Sequence, residues 1–184
     1  MNSIEFKNRL LKRLKHRQKW AKRTSITCFR LYQHDLPDVP CIVDYLDGDI
    51  VAWIHPRQRD DTEKKQVEFQ SLVQDVLESV FGDARVFIKG RSVQQGAQQY
   101  EKLSSSSITK QVTEGGVIFE LNLSDYLDVG LFLDHRRTRD YVRKHSKGKR
   151  VLNLYAYTGS FSCYAIDGGS RQTVSVDLSP KYRY

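Results

Sequence analysis

Residues 150–177 read R-V-L-N-L-Y-A-Y-T-G-S-F-S-C-Y-A-I-D-G-G-S-R-Q-T-V-S-V-D, and their pattern indicates the fold of the C-terminal part of the chain. Its pattern predicts a strand at 150–155, a turn at 156–159, a helix at 160–167 and a second strand at 173–177. Strand, turn, helix and strand in this order form the βαβ unit that opens a doubly wound nucleotide-binding sheet. We therefore predict the first part of a Rossmann-like domain.

The turn of this unit and the tip of its second strand predict a ligand site. Asp177 follows Gly159 at the distance where such units place the carboxylate that binds a ribose hydroxyl pair. Glycine in the turn allows a ligand to approach the backbone closely. The turn has one glycine and lacks the G-x-G-x-x-G spacing of dinucleotide binders. This difference disfavours a bound pyrophosphate and a nicotinamide-dependent oxidoreductase, and it favours an adenosine ligand without phosphates.

An α+β domain is predicted upstream of this unit. Residues 25–124 hold strand-like apolar runs, one helical run and short turns. This order favours one helix packed on an antiparallel sheet. The predicted elements are a strand at 25–32, a hairpin around Asp47-Gly48, a helix at 61–81 ending at Gly82, a strand at 84–90 and a hairpin over 108–123.

The positive charge of the chain is concentrated at its N-terminus. The formal net charge is +8, yet residues 1–30 hold ten Lys or Arg and one acid, Glu5. Apolar residues at helical spacing predict an amphipathic helix over 3–22, started by Asn2 with Glu5 three residues on. A face this basic favours contact with the phosphates of a nucleic acid. A solvated helix packed on a core, an anionic membrane surface and calmodulin are the alternatives.

Composition limits the class of protein. The three cysteines, Cys28, Cys41 and Cys163, lie far apart without a C-x-x-C pair. We therefore expect no disulfide framework, no metal site and a reducing, cytoplasmic location. No stretch approaches the ~20 apolar residues of a membrane span, and the mean hydropathy of −0.57 agrees. The polar, basic start also lacks the apolar segment of a secretory signal.

Several segments carry a resemblance to one enzyme family. They are K-R-L-K-H-R-Q-K-W-A-K-R (12–23), I-T-C-F-R-L-Y-Q-H-D-L-P (26–37), Q-Q-Y-E-K-L (98–103), D-Y-L-D-V-G-L-F-L-D-H-R-R-T-R (125–139), N-L-Y-A-Y-T-G-S-F-S (153–162) and S-V-D-L-S (175–179). Together they resemble the S-adenosylmethionine-dependent 23S rRNA methyltransferases, and most closely the guanine-N7-methylating, C-terminal half of the bifunctional large-subunit enzymes. The likeness covers essentially the whole chain in order.

The resemblance implies S-adenosylmethionine as cofactor and assigns residues to it. Asp177 would bind the ribose hydroxyls. A turn beneath the methionine and ribose parts would contain Asn153, Tyr155, Tyr157, Thr158, Gly159 and Ser160. Phe132, Asp134, His135 and Arg136 would line the same pocket, with an arginine on the cofactor carboxylate and aromatic faces near the sulfonium. For His135 and Arg136, helix capping and surface salt bridges are the alternative.

The resemblance also implies 23S rRNA as partner. The residues expected to contact it are Lys12, Arg13, Lys15, Arg17, Lys19, Lys22 and Arg23 of the basic helix, with Lys89, Arg91 and Lys102 further on. The loop at 89–103 is less basic than the family pattern, because Val93, Gln95 and Ala97 stand in it. RNA contact there is expected to be weaker.

Two features depart from a complete enzyme of this family. The sequence has no Pro-Pro pair, which base-nitrogen methyltransferases place after their fourth strand, and it stops at Tyr184, before strands three to seven. We expect an inactive fragment with no catalytic residue of its own. It would consist of a basic helix (1–24), an α+β RNA-binding domain (25–124) and an incomplete cofactor-binding domain (125–184).

This incomplete domain should expose apolar surface, since one helix cannot cover both faces of a parallel sheet. Self-association through that surface is one expected consequence. The alternatives to the enzyme hypothesis are a non-catalytic RNA-binding module and methylation at another base atom. Methylation at cytosine C5 would need a nucleophilic cysteine, and Cys163 is expected to be buried inside the predicted helix instead.

Overall fold

The computed structural model describes residues 2–55, 62–90 and 102–179. Its first element is helix α1 (Ser3–Arg23), which begins as the sequence predicts. The Asn2 side chain accepts a hydrogen bond of 3.1 Å from the backbone N–H of Glu5. This bond satisfies one of the free N–H groups of the first helical turn.

A four-stranded sheet follows α1. Its strands are β1 (Cys28–Gln33), β2 (Cys41–Leu46), β3 (Asp49–Ile54) and β4 (Val86–Gly90), in that spatial order. β1, β2 and β3 are antiparallel neighbours, whereas β4 runs parallel to β3. The sequence prediction of an antiparallel sheet was therefore wrong for its last strand. Helix α2 (Glu63–Phe81) connects β3 to β4 as a crossover, and a crossover returns the chain in the same direction.

One face of this sheet is covered by two helices and not by the single helix that the sequence predicted. Phe6 and Leu10 of α1 are fully buried, and they share a core with Phe69, Val73 and Leu77 of α2. α1 is therefore part of the domain core and presents only its remaining surface to solvent.

The opposite face of the sheet packs against a hairpin and the segment that follows it. The hairpin consists of β5 (Thr109–Glu114) and β6 (Val117–Asn122), joined at Gly115-Gly116. Leu123, Leu127, Leu131 and the strand residue Trp53 are buried in this second core. The Trp53 indole N–H donates to the carbonyl of Leu127 at 2.8 Å. Because both faces are covered, β2 and β3 are almost entirely buried.

The predicted βαβ unit is present at the C-terminal end. A 3-10 turn at Leu133–His135 leads into α3 (Arg136–His145), and then come β7 (Arg150–Leu154), α4 (Ser160–Asp167) and β8 (Gln172–Val176). β7 and β8 pair in parallel. Within the described ranges, no helix is long and apolar enough to cross a membrane.

The βαβ unit exposes an apolar sheet face, as predicted. The relative exposure is 62% for Leu152, 56% for Leu154, 44% for Val174 and 49% for Val176. These residues alternate with those that face α4, so they form one continuous outer surface of the two strands. The prediction that Cys163 is buried was wrong, because its side chain lies on the solvent side of α4.

Candidate functional site

The site begins at the turn between β7 and α4, at the edge where the carboxyl ends of β7 and β8 meet. Tyr155, Tyr157 and Gly159 all have left-handed backbone conformations, with φ of 55°, 52° and 76°. Left-handed backbone is unfavourable for tyrosine, so other contacts have to hold this turn. Such an edge is where doubly wound sheets bind ligands.

Asp177 supplies the first of these contacts. One carboxylate oxygen accepts the backbone N–H of Tyr157 at 2.8 Å, and the other accepts the backbone N–H of Ser179 at 2.8 Å. Each carboxylate oxygen has two acceptor positions, so one remains on each for a further donor. Asp177 can therefore fix the turn and accept hydrogen bonds from a pair of hydroxyl groups.

Thr158 holds the turn to the neighbouring segment, whereas Asn153 contacts α4. The Thr158 hydroxyl donates to the carbonyl of Gly130 at 2.6 Å. Gly130 has a φ of 109°, which favours glycine, and a side chain there would lie 3.7 Å from the Thr158 methyl group. The Asn153 amide donates to the Ser162 hydroxyl at 3.0 Å, so it faces α4 and not the turn.

An aromatic cluster stands over the turn. The Phe132 ring centroid lies 5.2 Å from that of Tyr157 and 6.3 Å from that of His135. The His135 ring in turn lies 5.9 Å from the ring of Phe161. Phe161 was missed by sequence reasoning, although its place in the first turn of α4 could have indicated it. Ser160 is buried beside it, and Tyr155 is 83% exposed.

Arg136 does not lie where the sequence prediction requires. Its guanidinium donates to a carboxylate oxygen of Glu114 at 2.7 Å and to the carbonyl of Cys28 at 2.7 Å. It also lies over the Trp20 ring, at 5.3 Å. Glu114 is fully buried, and pairing with Arg136 compensates the loss of solvent around its carboxylate. The role on a cofactor carboxylate thus has no geometric support. Asp134 is exposed at the start of the 3-10 turn.

A small pocket lies beside Phe132 and was not predicted. Its lining includes Arg30, Asp44, Trp53 and Asp128. Asp44 is only 2% exposed, and its two carboxylate oxygens accept from Arg30 at 2.9 and 3.3 Å. Burial raises the pKa of Asp44, and the hydrogen bond from Arg30 opposes that rise. The pocket brings hydrogen-bonding groups next to the aromatic cluster.

The predicted RNA-contacting residues fall into two groups. Most of those on α1 are exposed, namely Lys12, Lys15, Arg17, Lys19, Lys22 and Arg23. Arg13 is half-buried and pairs with Asp35 at 2.8 Å. Lys102 is exposed and lies 3.6 Å from Asp125. Lys89 is only 4% exposed, and its ammonium group donates to the carbonyl of Tyr126, so it does not present its charge to solvent. Arg91 lies outside the described residues.

Two of the cysteines are unsuited to nucleophilic chemistry. Burial raises the pKa of both Cys28 and Cys41 to about 12, so their thiols stay protonated near neutral pH. In the described part of the chain, no three His, Cys, Asp or Glu side chains come together as a metal site.

Comparison with curated proteins gives long matches. The chain is 43% identical over 179 residues to "Ribosomal RNA large subunit methyltransferase K/L" of Hahella chejuensis, covering 96% of this chain and 25% of that protein. It is 43% identical over 183 residues to "Ribosomal RNA large subunit methyltransferase K" of Neisseria meningitidis serogroup B, covering 96% and 51%. The chain thus spans a quarter to a half of the length of these relatives.

Comparison with solved structures supports the fold. A protein of Streptococcus mutans assigned as a SAM-dependent methyltransferase has a TM-score of 0.76 at 23% identity, covering 100% of this chain and 47% of its own. A second assigned methyltransferase, complexed with SAH, has a TM-score of 0.71 at 24% identity, covering 100% and 46%. These identities bear on the fold alone.

The sequence model of one family, described as "S-adenosylmethionine-dependent methyltransferase", matches residues 36–182. The match includes both the small sheet from β2 onward and the βαβ unit with its turn. The chain therefore belongs to the S-adenosylmethionine-dependent methyltransferases, and S-adenosylmethionine is its cofactor.

Proposed function

We propose that this chain supplies the cofactor-binding and RNA-binding parts of an enzyme that methylates guanine N7 in large-subunit rRNA. The observation that carries the proposal is the turn clamped by Asp177 beneath the aromatic cluster. The relatives at 43% identity are named as large-subunit rRNA methyltransferases, which supports the substrate class.

The residues of the turn fit S-adenosylmethionine. Asp177 would accept hydrogen bonds from the ribose hydroxyls through the acceptor positions that Tyr157 and Ser179 leave free. Phe132 and Tyr157 present aromatic faces, which attract a sulfonium cation. Tyr155, Thr158, Gly159 and Ser160 would shape the turn, Asn153 would support it from the side of α4, and Asp134 and His135 would form its rim. Bound there, the cofactor supplies an activated methyl group.

Little acid–base chemistry is needed for this reaction. Guanine N7 carries an in-plane lone pair and has no proton to lose at neutral pH. The protein therefore acts by holding the acceptor in line with the methyl group, and orientation of this kind accounts for a large share of the rate. The base has to leave its stack to reach such a site.

RNA binding is proposed for the exposed basic face of α1. Its apolar residues Phe6 and Leu10 are buried in the core, so the lysines and arginines on the other side point to solvent. Cations at this density bind a phosphate backbone and release its counterions. Single-stranded or loop RNA would be preferred, because its bases are accessible.

Methyl transfer itself is proposed for a protein that contains this chain and has the length of its relatives. The chain covers 25% of one relative and 51% of another, and the outer face of β7 and β8 is apolar and exposed. We propose that the isolated chain is inactive and self-associates through this face. We also propose the division into residues 1–24, 25–124 and 125–184.

A cofactor titration tests the first part of the proposal. The isolated chain and its Asp177→Asn variant are titrated with SAH by calorimetry. Asparagine keeps one acceptor oxygen but loses the charge, and a hydrogen bond to a charged group contributes about 1.5–3 kcal/mol. The expected result is a dissociation constant raised by roughly tenfold or more. Equal affinities would refute the assignment of Asp177.

A salt titration tests the RNA-binding part. The triple variant Lys15→Glu, Lys19→Glu, Lys22→Glu is compared with the control Lys64→Glu, Lys65→Glu on the exposed start of α2. Each lost phosphate contact should reduce the slope of log K against log salt by about 0.7–0.9. Equal effects of the two variants would contradict an RNA site on α1. Salt-dependent RNA binding by a chain that has no affinity for SAH would favour the non-catalytic RNA-binding module.

A methylation assay with a protein of the relatives' length tests whether the reaction occurs and which base atom is methylated. This protein is incubated with unmodified large-subunit rRNA and labelled S-adenosylmethionine, and the methylated nucleoside is identified by mass spectrometry. Label on guanine N7 is expected, and a different atom or no label would refute the proposal.

A further inference from the structure

A buried ionic cluster joins the β5–β6 hairpin to the cofactor-binding unit. We call Glu114, Arg136, Arg139 and Tyr164 the Glu114 cluster. Glu114 and Arg139 are both 0% exposed. Glu114 ends β5, the two arginines belong to α3, and Tyr164 belongs to α4.

Both oxygens of the Glu114 carboxylate are held by these partners. One oxygen accepts from Arg139 at 2.8 Å and from the Tyr164 hydroxyl at 3.0 Å. The other oxygen accepts from Arg136 at 2.7 Å. A buried carboxylate is stable only when it is paired and hydrogen-bonded in this way, and such bonds are directional. The cluster therefore fixes the relative position of three elements.

Arg139 carries the first connection to the cofactor turn. Its guanidinium, held by Glu114, also donates to the carbonyl of Phe132 at 2.9 Å. The Phe132 ring stands 5.2 Å from the ring of Tyr157 in the turn. Glu114 thus fixes the backbone of the residue that forms one wall over the turn.

Tyr164 carries the second connection. Its single hydroxyl proton is shared between two acceptors of Glu114, the backbone carbonyl at 2.8 Å and a carboxylate oxygen at 3.0 Å. Its ring is stacked at 6.2 Å on Phe119 and faces the Arg143 guanidinium at 4.3 Å. A side chain at Gly115 would come within 3.0 Å of the Tyr164 hydroxyl, so hairpin and helix are closely docked. α4 begins directly after the cofactor turn, so the packing of α4 against the hairpin fixes the position of the second wall of the site.

We propose that Glu114 is a positioning residue for the cofactor site, which it aligns through Arg139 on one side and Tyr164 on the other. This inference rests on the proposed role of the β7–α4 turn in cofactor binding. It assigns to the small domain a second task besides RNA contact, namely holding the aromatic cluster against the turn.

The test compares Glu114→Gln with the control Asp49→Asn in the isolated chain. Asp49 is also a buried carboxylate paired with an arginine, Arg85, but it lies on β3 away from the turn. Glutamine keeps the size of Glu114 and the backbone carbonyl that Tyr164 uses. Hydrogen exchange of the Tyr157 amide and ring contacts between Phe132 and Tyr157 are measured by NMR.

The expected result is that Glu114→Gln speeds Tyr157 exchange by at least about tenfold relative to α1 amides, the equivalent of one charge-assisted bond, and loses the ring contact. Asp49→Asn should change neither. Equal local effects in both variants, or exchange that becomes faster at all amides in proportion, would overturn the inference. If Glu114→Gln does not fold, Tyr164→Phe removes only the hydroxyl and should loosen the start of α4 alone. Unchanged exchange there would also overturn it.

SAH titration separates this inference from the proposed function. Failure of the unmodified chain to bind SAH counts against the proposed cofactor turn, while the NMR comparison still decides the role of Glu114. If the unmodified chain binds and Glu114→Gln binds equally well, the inference is wrong and the proposed function stands. A weakening of about tenfold or more in Glu114→Gln alone supports both.

Discussion

Lys89 offers the sharpest test of the fold energetics, because a lysine is buried where the sequence predicts a surface cation. It is 4% exposed at the end of β4, and its ammonium group donates to the carbonyl of Tyr126. Burial lowers the pKa of Lys89 from 10.5 to about 8, and the nearby carboxylates of Asp128 and Asp125 only partly oppose that fall. The perturbation is Lys89→Met, which keeps the length of the side chain and removes the charge.

The pH dependence of stability follows from this pKa. In the unfolded chain the lysine keeps a pKa of 10.5, so between pH 8 and 10.5 the unfolded state binds more protons than the folded state. Stability therefore rises with pH across this window, and below pH 8 the contribution of Lys89 is constant. The full difference between the two pKa values corresponds to about 3 kcal/mol.

The raised pKa values of Cys28 and Cys41 act in the opposite sense. Their thiols keep protons in the folded state up to about pH 12, so they lower stability as the pH rises above 9. Both the unmodified chain and Lys89→Met carry these cysteines. The difference in stability between the two proteins therefore isolates the contribution of Lys89.

The assay is urea unfolding followed by circular dichroism at several pH values from 7 to 10.5. Relative to Lys89→Met, the unmodified chain should gain about 3 kcal/mol in free energy of unfolding across this range. A difference in stability that stays constant with pH would contradict a lowered pKa of Lys89. RNA binding gives a second criterion. If Lys89 is a buried structural residue, Lys89→Met leaves the slope of log K against log salt unchanged. If Lys89 contacted a phosphate, its loss would reduce that slope by about one.

Two further predictions concern packing. Gly168→Ala should destabilise the fold by about 1–3 kcal/mol in thermal unfolding, since overpacking carries that penalty, and its new side chain would overlap the Arg143 carbonyl oxygen. Gly90→Ala, which meets only a flexible side chain at 3.8 Å, should be much milder, and equal effects would contradict the close α3–α4 contact. Leu152→Lys with Val174→Lys should lower self-association in sedimentation experiments. Identical behaviour of variant and unmodified chain would refute association through that face.

Local signals predicted most of the elements. Asn2 with Glu5, the Asp47-Gly48 turn and Gly82 mark the start of α1, the β2–β3 hairpin and the end of α2, as the structure confirms. Each of these signals acts within a few residues. The parallel pairing of β4 with β3 was not predicted, because strand order depends on where α2 packs, and that is a long-range property.

The candidate site shows the same contrast between local signals, which the sequence reveals, and long-range contacts, which it does not. Asp177 was predicted because βαβ units place a carboxylate at a regular distance from their first turn, and its carboxylate does contact that turn. Arg136 was assigned to the cofactor although its partner is Glu114, which lies 22 positions away and buried. Lys89 was assigned to RNA although the carbonyl it contacts lies 37 positions away. Charged residues look alike in sequence whether they face solvent or a buried partner, so only the fold could separate them.

The packing of α1 bears on which of the partners predicted for a basic amphipathic helix it can bind. A membrane or calmodulin would bind the apolar face of the helix. Phe6 and Leu10 are 0% exposed and Ala21 is 4% exposed, so that face is already part of the protein core. Only Ile4 and Leu11 leave substantial apolar surface on the solvent side. Releasing the buried residues would open the core, whereas the basic face can bind a polyanion with no change in the fold. Binding through α1 should therefore weaken steeply with salt, and a partner that holds on in high salt would contradict this assignment.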